Sequence, residues 1–89
     1  MKFSGTIRYF RPQLKSGLAV IDIPRDVTEK LGGLKQMKVT GKINGVTFKS
    51  NTMPAGGGVL ALSLSKELLG AAGLHIGQKA DGDIRRLEA

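Results

Sequence analysis

Apolar and polar residues alternate along most of this chain. Between Phe3 and Phe10, Phe3, Gly5, Ile7 and Tyr9 fall on one side and Ser4, Thr6, Arg8 and Phe10 on the other, the period of a half-buried strand. Pro12 and Gly17 break that strand. Leu18–Pro24 alternates again, with Ala19, Ile21 and Ile23 on one face and Leu18, Val20 and Asp22 on the other. Pro24 cannot extend a ladder but suits the entry to a helix, and Val27 and Leu31, four apart, share one face of a short helix that Gly32-Gly33 ends. A third strand follows, with Met37, Val39, Gly41 and Ile43 inward and Lys38, Thr40 and Lys42 outward. Asn44-Gly45 supplies the two positive-φ residues of a type I′ hairpin turn. A fourth strand runs from Val46 to Asn51, with Val46 and Phe48 inward and Thr47 and Lys49 outward. Beyond the glycine run Gly56–Gly58, Val59–Ser65 is a fifth strand with Leu60, Leu62 and Leu64 on one face. Ser65 is a good N-cap for a second short helix carrying Leu68 and Leu69. A sixth strand lies roughly at Lys79–Leu87.

The halves repeat. At a shift of 41 residues Gly32 meets Gly73, Lys38 meets Lys79, Gly41 meets Gly82 and Ile43 meets Ile84. Thr6 then meets Thr47, Arg8 meets Lys49, and Arg25-Asp26-Val27 meets Lys66-Glu67-Leu68. Each half reads strand, strand, helix, strand. Neither half closes a core alone, whereas two interleaved halves make a barrel without exposed edges. The pattern therefore predicts a mainly β fold: one domain over residues 1–89, a small closed six-stranded β-barrel with two short helices, built from two β-β-α-β pseudo-repeats.

Composition sharpens this picture. The chain has 89 residues, 4% aromatic, so the core must rest on Leu, Ile, Val and Met. A domain this small buries roughly 60% of its extended-chain surface and folds with little reserve. No cysteine is present, which excludes disulfides and thiolate metal sites. The N-terminal residues carry no apolar leader pattern, and no apolar stretch is long enough to span a membrane, so a cytoplasmic protein is expected. The formal net charge of +7 favours polyanionic partners.

Candidate chemistry is sparse. The glycine run leads into a strand, not a helix, and no Lys-Ser/Thr pair follows it, so it does not meet the requirements of a phosphate-binding P-loop. Two readings stay open: a loop whose glycines permit unusual dihedrals, or a ligand-closing loop at the barrel mouth using Gly56, Gly57 and Gly58. His75 stands alone without further metal ligands. Asp81 and Asp83 face the same way on one strand, but acid–base work would require burying one of them. Ser63 and Ser65 lack a nucleophile elbow. No nucleophile–base–orienter set can be assembled, so no catalytic residue, metal site or cofactor is assigned. The basic residues form the fuller constellation: Arg8, Lys38, Lys42 and Lys49 all fall on outward faces, and a hairpin at Asn44-Gly45 would set Lys42 near Thr47, with Lys49 in reach of Lys38 or Lys42. Such a strip can track a phosphate backbone or be an ordinary solvated sheet face, and the absence of an interleaved aromatic or Asn/Gln reader favours the solvated face.

The runs "AVIDIPRDV" and "KVTGKINGVTFKSNTMPAGGGVLALSLSKELLGAAGLHIG" resemble a prokaryotic domain family of unknown function, found alone or ahead of a bacteriocin-protection (YdeI/OmpD-associated) domain. The resemblance rests on Pro24, Val39, Gly41, Ile43, Asn44, Gly45, Pro54, Gly56, Gly57, Gly58, Lys66, Leu68 and Gly77. It implies a small β-barrel and supplies no activity or catalytic residues. In the last strand Gln78 replaces the family's acidic residue, and Ala80 and Gly82 stand where bulky inward residues are expected, which predicts either a loosely packed strand or a barrel that closes differently. The barrel is also similar to AbrB-type transition-state regulators, an analogy of fold alone. Two functions follow as expectations: a non-catalytic binding or interaction module with a ligand or protein partner near the glycine loop, or a basic nucleic-acid-binding barrel. The chain would act as a monomer or homodimer.

Overall fold

The alternating segments become strands that pair on both sides and close on themselves. The computed structural model describes residues 1–10 and 18–87; the break assigned to Pro12 and Gly17 lies outside them. In chain order the elements are β1 (Lys2–Tyr9), β2 (Ala19–Ile23), α1 (Arg25–Leu31), β3 (Met37–Ile43), β4 (Val46–Pro54), β5 (Leu60–Leu64), α2 (Lys66–Ala72) and β6 (Lys79–Arg86). The closed barrel has strand order β1-β2-β5-β4-β3-β6, every neighbour antiparallel. No helix among the described residues is long and apolar enough to cross a membrane.

Local chemistry sets the ends of the elements. The Ser65 hydroxyl accepts the Leu68 N–H at 3.1 Å and caps α2, which Gly73 ends at φ 69°. Helix α1 enters through Pro24 without a side-chain cap. Asn44 and Gly45, at φ 47° and 82°, join Ile43 to Val46 in the two-residue turn that the sequence predicts.

The inward positions of all six strands make one core. Ile7, Ile21, Ile23, Val39, Ile43, Leu60 and Leu62 are inaccessible to solvent, and Val27, Leu31, Leu68 and Leu74 close it from the helical segments. Each such side chain contributes roughly 1.5–3 kcal/mol by leaving water. Strand β4 runs three residues past the expected end at Asn51, which buries Thr52 completely. The Thr52 hydroxyl accepts the Met37 N–H at 3.1 Å and donates to the Lys35 carbonyl at 3.2 Å. Beside the neighbouring β2–β5 pair the Thr28 hydroxyl donates to the Ile23 carbonyl at 3.3 Å and accepts the Leu60 N–H at 3.4 Å. Both threonines satisfy backbone groups where a helix interrupts the ladder, which is why a buried hydroxyl is tolerated there.

The pseudo-repeat needs one correction. The 41-residue shift carries β2 onto β5 and α1 onto α2, end to end. It fails for the first strand of each half. Ile7 pairs with Ile21, and Leu62, the mate of Ile21, pairs with Thr52, so Ile7 corresponds to Thr52 at a shift of 45. Phe3 likewise corresponds to Phe48, because they pair with Gly82 and Gly41 respectively. The expected matches of Thr6 with Thr47 and Arg8 with Lys49 are therefore not spatial equivalents. The slip arises in the connections, 10–18 between β1 and β2 against 55–59 between β4 and β5.

The last strand is well packed, against expectation. Ala80 and Ile84 are buried at 3% and 1% exposure. The Phe3 ring occupies the space that a Gly82 side chain would need, its Cε1 lying 2.8 Å from where a Cβ would stand. A bulky residue is absent from β6 because its volume arrives from β1. At Gly41, Ile84 Cα of the neighbouring strand would lie 2.8 Å from an added Cβ, with the Asp83 carbonyl closer still. Backbone cannot yield as a ring can. Gly41→Ala is therefore expected to cost about 3 kcal/mol, at the upper end of overpacking penalties. Gly82→Ala should cost less, and Phe3→Leu in that background should recover part of the loss. Urea denaturation of the four chains checks this; equal costs for the two alanines would contradict the backbone argument.

Candidate functional site

Outward alternation on β3 exposes Lys38 and Lys42 on either side of Thr40. Sheet register then places Lys49 of β4 and Arg85 of β6 directly across from Thr40, one on each flank. Thr40 itself is only 9% exposed, and its hydroxyl donates to the Phe48 carbonyl at 3.0 Å. Four cations thus surround one tied-down threonine. Strand rise and strand spacing put Lys38 and Lys42 about 13 Å apart at Cα, and Lys49 and Arg85 about 10 Å apart. All four are exposed. Among the described residues the ion pairs are Met1–Asp83 and Arg8–Asp22, so none of the four is neutralised by a salt bridge.

One border of this face carries opposite charge. Lys2, Asp83 and Lys42 lie in a row across β1, β6 and β3. An open depression of about 630 Å³ lies here, lined by Lys2, Phe3, Lys42, Asp81, Gly82 and Asp83 among others. A second, of about 380 Å³, shares Lys42 and Asp83 and reaches Arg85. The terminal ammonium of Met1 donates to Asp83 Oδ1 at 2.8 Å. That hydrogen bond is the main cause holding the Asp83 carboxyl below its ordinary range, so Asp83 is ionised at neutral pH. Asp81 and Asp83 are both exposed, without the burial that a general acid requires.

Arg8 does not join the lysines. Its Nε and Nη2 donate to both carboxylate oxygens of Asp22, at 2.9 and 2.8 Å, and it lies on β1 beyond the last residue that pairs with β6. The bidentate bond to Asp22 raises the guanidinium pKa above its ordinary value. Both side chains are more than a third exposed, so the pair adds at most about 1 kcal/mol to stability. Arg85 takes its place on the face. The alternation of β6 already carried that signal, since Arg85 shares the outward phase of Asp81 and Asp83.

The glycine loop joins β4 to β5 as expected. Gly56, Gly57 and Gly58 all have positive φ, at 85°, 63° and 80°. The Arg25 guanidinium, at the start of α1, donates from Nη2 to the Gly57 carbonyl at 2.8 Å. It also lies 3.0 Å from where a Gly58 Cβ would stand. Nothing local in the sequence joins Arg25 to a loop 32 residues away. Of the remaining candidates, His75 is exposed after α2, with its backbone N–H donating to Gln78 Oε1 at 3.0 Å. No group of three or more metal-ligating side chains occurs among the described residues.

A family model described as a domain of unknown function, DUF1905, matches residues 3–84. The chain belongs to the DUF1905 family. No curated protein matches it. The match covers the Asn44-Gly45 turn, the glycine loop, β3, β4 and β6 as far as Ile84, and ends one residue before Arg85.

The contacts of the glycine loop in this DUF1905 domain separate two effects of substitution. Gly57→Ala meets open space and should lose only the left-handed backbone preference, about 1–2 kcal/mol. Gly58→Ala should lose that and also displace Arg25. A double-mutant cycle by thermal or urea melting should then show larger coupling between Gly58→Ala and Arg25→Ala than between Gly57→Ala and Arg25→Ala.

Proposed function

We propose that this domain is a non-catalytic nucleic-acid-binding module whose phosphate-facing surface is the outer face of β6, β3 and β4. The observation that carries this reading is the set of four exposed cations, Lys38, Lys42, Lys49 and Arg85, held around Thr40 by sheet register and without a salt bridge among the described residues. Register matters because lysines scattered over a surface spend their charge on bulk counterions. Cations fixed on neighbouring strands can instead displace the counterions of one backbone together. The net charge of +7 supplies a long-range field of the right sign. Asp81 and Asp83 bound the surface on the turn side, with the Asp83 charge met by the terminal ammonium. No cofactor enters this reading.

Four phosphate contacts predict a slope of log K against log salt of about −3.6 on duplex DNA and about −2.8 on a single strand. Fluorescence anisotropy of the whole chain against labelled DNA, titrated from low to physiological salt, measures it. Lys38→Ala and Lys49→Ala should each make the duplex slope shallower by about 0.9. Arg8→Ala should leave it unchanged. A slope near zero, or no binding at low salt, disposes of the reading.

A second reading keeps the ligand at the glycine loop, and the position of Arg25 favours it: an exposed guanidinium stands against Gly57 and Gly58 with donors left over after its one bond to the loop. Such a place suits a small oxyanion. On this reading inorganic phosphate shifts the backbone amide resonances of Gly56–Gly58 in an NMR titration and Arg25→Ala abolishes the shifts; resonances that stay put remove it.

A further inference from the structure

We infer that the nucleic acid taken by the β6–β3–β4 face is double-helical and is held by its backbone without regard to sequence. This rests on the nucleic-acid reading above and deepens it. Single-strand binders gain much of their affinity by stacking bases on aromatic side chains. The chain has four aromatic residues, and none lies on this face. Phe3 and Phe48 are turned into the barrel, each 7% exposed. Tyr9 ends β1 and Phe10 follows it, both beyond Thr6, the last residue pairing with β6, and Tyr9 pairs instead with Ala19 of β2. The face therefore offers charge and no stacking platform.

The arrangement of charge suits a stiff ligand. The cations stand on three hydrogen-bonded strands, so their Cα positions are fixed relative to one another. Lys38 and Lys42 stand about 13 Å apart at Cα along β3, comparable with a major groove about 12 Å wide, and their flexible stems let each reach a phosphate on opposite walls. A duplex presents phosphates at such fixed separations, and a single strand must be ordered to do so.

No strand or turn of this surface projects to enter a groove and carry side chains to the base edges. Strand β3 is paired on both sides, and the Asn44-Gly45 tip is bound down to β6 by the Asn44 N–H donating to the Asp81 carbonyl at 3.1 Å. Contacts confined to phosphates position a protein without conveying sequence.

The test is anisotropy at about 50 mM salt with the full chain and labelled DNA: two 20-base-pair duplexes of unrelated sequence and one single strand of the same length. The expected result is equal affinity for the two duplexes and about tenfold weaker binding of the single strand. The combined variant Lys38→Ala, Lys42→Ala, Lys49→Ala, Arg85→Ala should bind none of them, while Lys30→Ala on the exposed side of α1 binds as the parent chain does. Circular dichroism confirms the fold of each, and single Lys→Gln variants replace the combined one if it does not fold. A single strand bound as tightly as the duplexes, or a tenfold preference between the duplexes, overturns this inference and leaves the nucleic-acid reading standing. Binding of none of the three overturns that reading itself.

Discussion

The close approach of β3 and β6 governs this barrel. A sheet of six short strands closes only by bending sharply, and these two strands meet where each carries a glycine. Gly41 lets the β6 backbone pass where any side chain would collide with Asp83 and Ile84. Gly82, its counterpart in the other half, leaves room for the Phe3 ring. The bare Gly41 allows β3 and β6 to meet, and at Gly82 the missing volume is filled by Phe3 of β1. Closure in turn removes sheet edges, so a chain with a small core avoids a template for aggregation.

The same meeting of strands builds the basic face. β3 is central there because β4 pairs with one of its edges and β6 with the other. Lys49 and Arg85 reach opposite sides of Thr40 only because both registers are set, one by the two-residue turn at Asn44-Gly45 and the other by the glycine approach. A one-residue slip in either pairing would turn those charges to the interior. Core packing and surface chemistry are therefore one constraint seen from two sides of the sheet.

The glycine loop shows how tertiary contact changes the meaning of a motif. In sequence, three glycines invite comparison with phosphate-binding loops. In the fold they turn the chain tightly between β4 and β5 under an arginine from α1, with all three in a conformation that other residues adopt at a cost. Their spacing is explained by the turn and by the space Arg25 occupies. An anion at Arg25 would use the same geometry, without requiring it.

The order of elements, the barrel, the hairpin turn, the Ser65 cap and the outward lysines were all legible in the sequence. Each depends on residues near one another in the chain: period-two alternation, a turn dipeptide, a hydroxyl three residues before an amide. The barrel could also be read from the repeat, since two halves with the same order of elements leave few ways to cover every edge. What the tertiary structure alone decided was everything involving distance along the chain. The first strands of the halves correspond four residues away from where identity matching places them, because the connections differ in length and only pairing reveals it. Phe3 completing β6, Arg25 binding the glycine loop, Arg8 held by Asp22 and Arg85 joining the lysines all arise from strands brought together by closure. Local sequence records which way a side chain points; only the register of a closed sheet decides what it then meets.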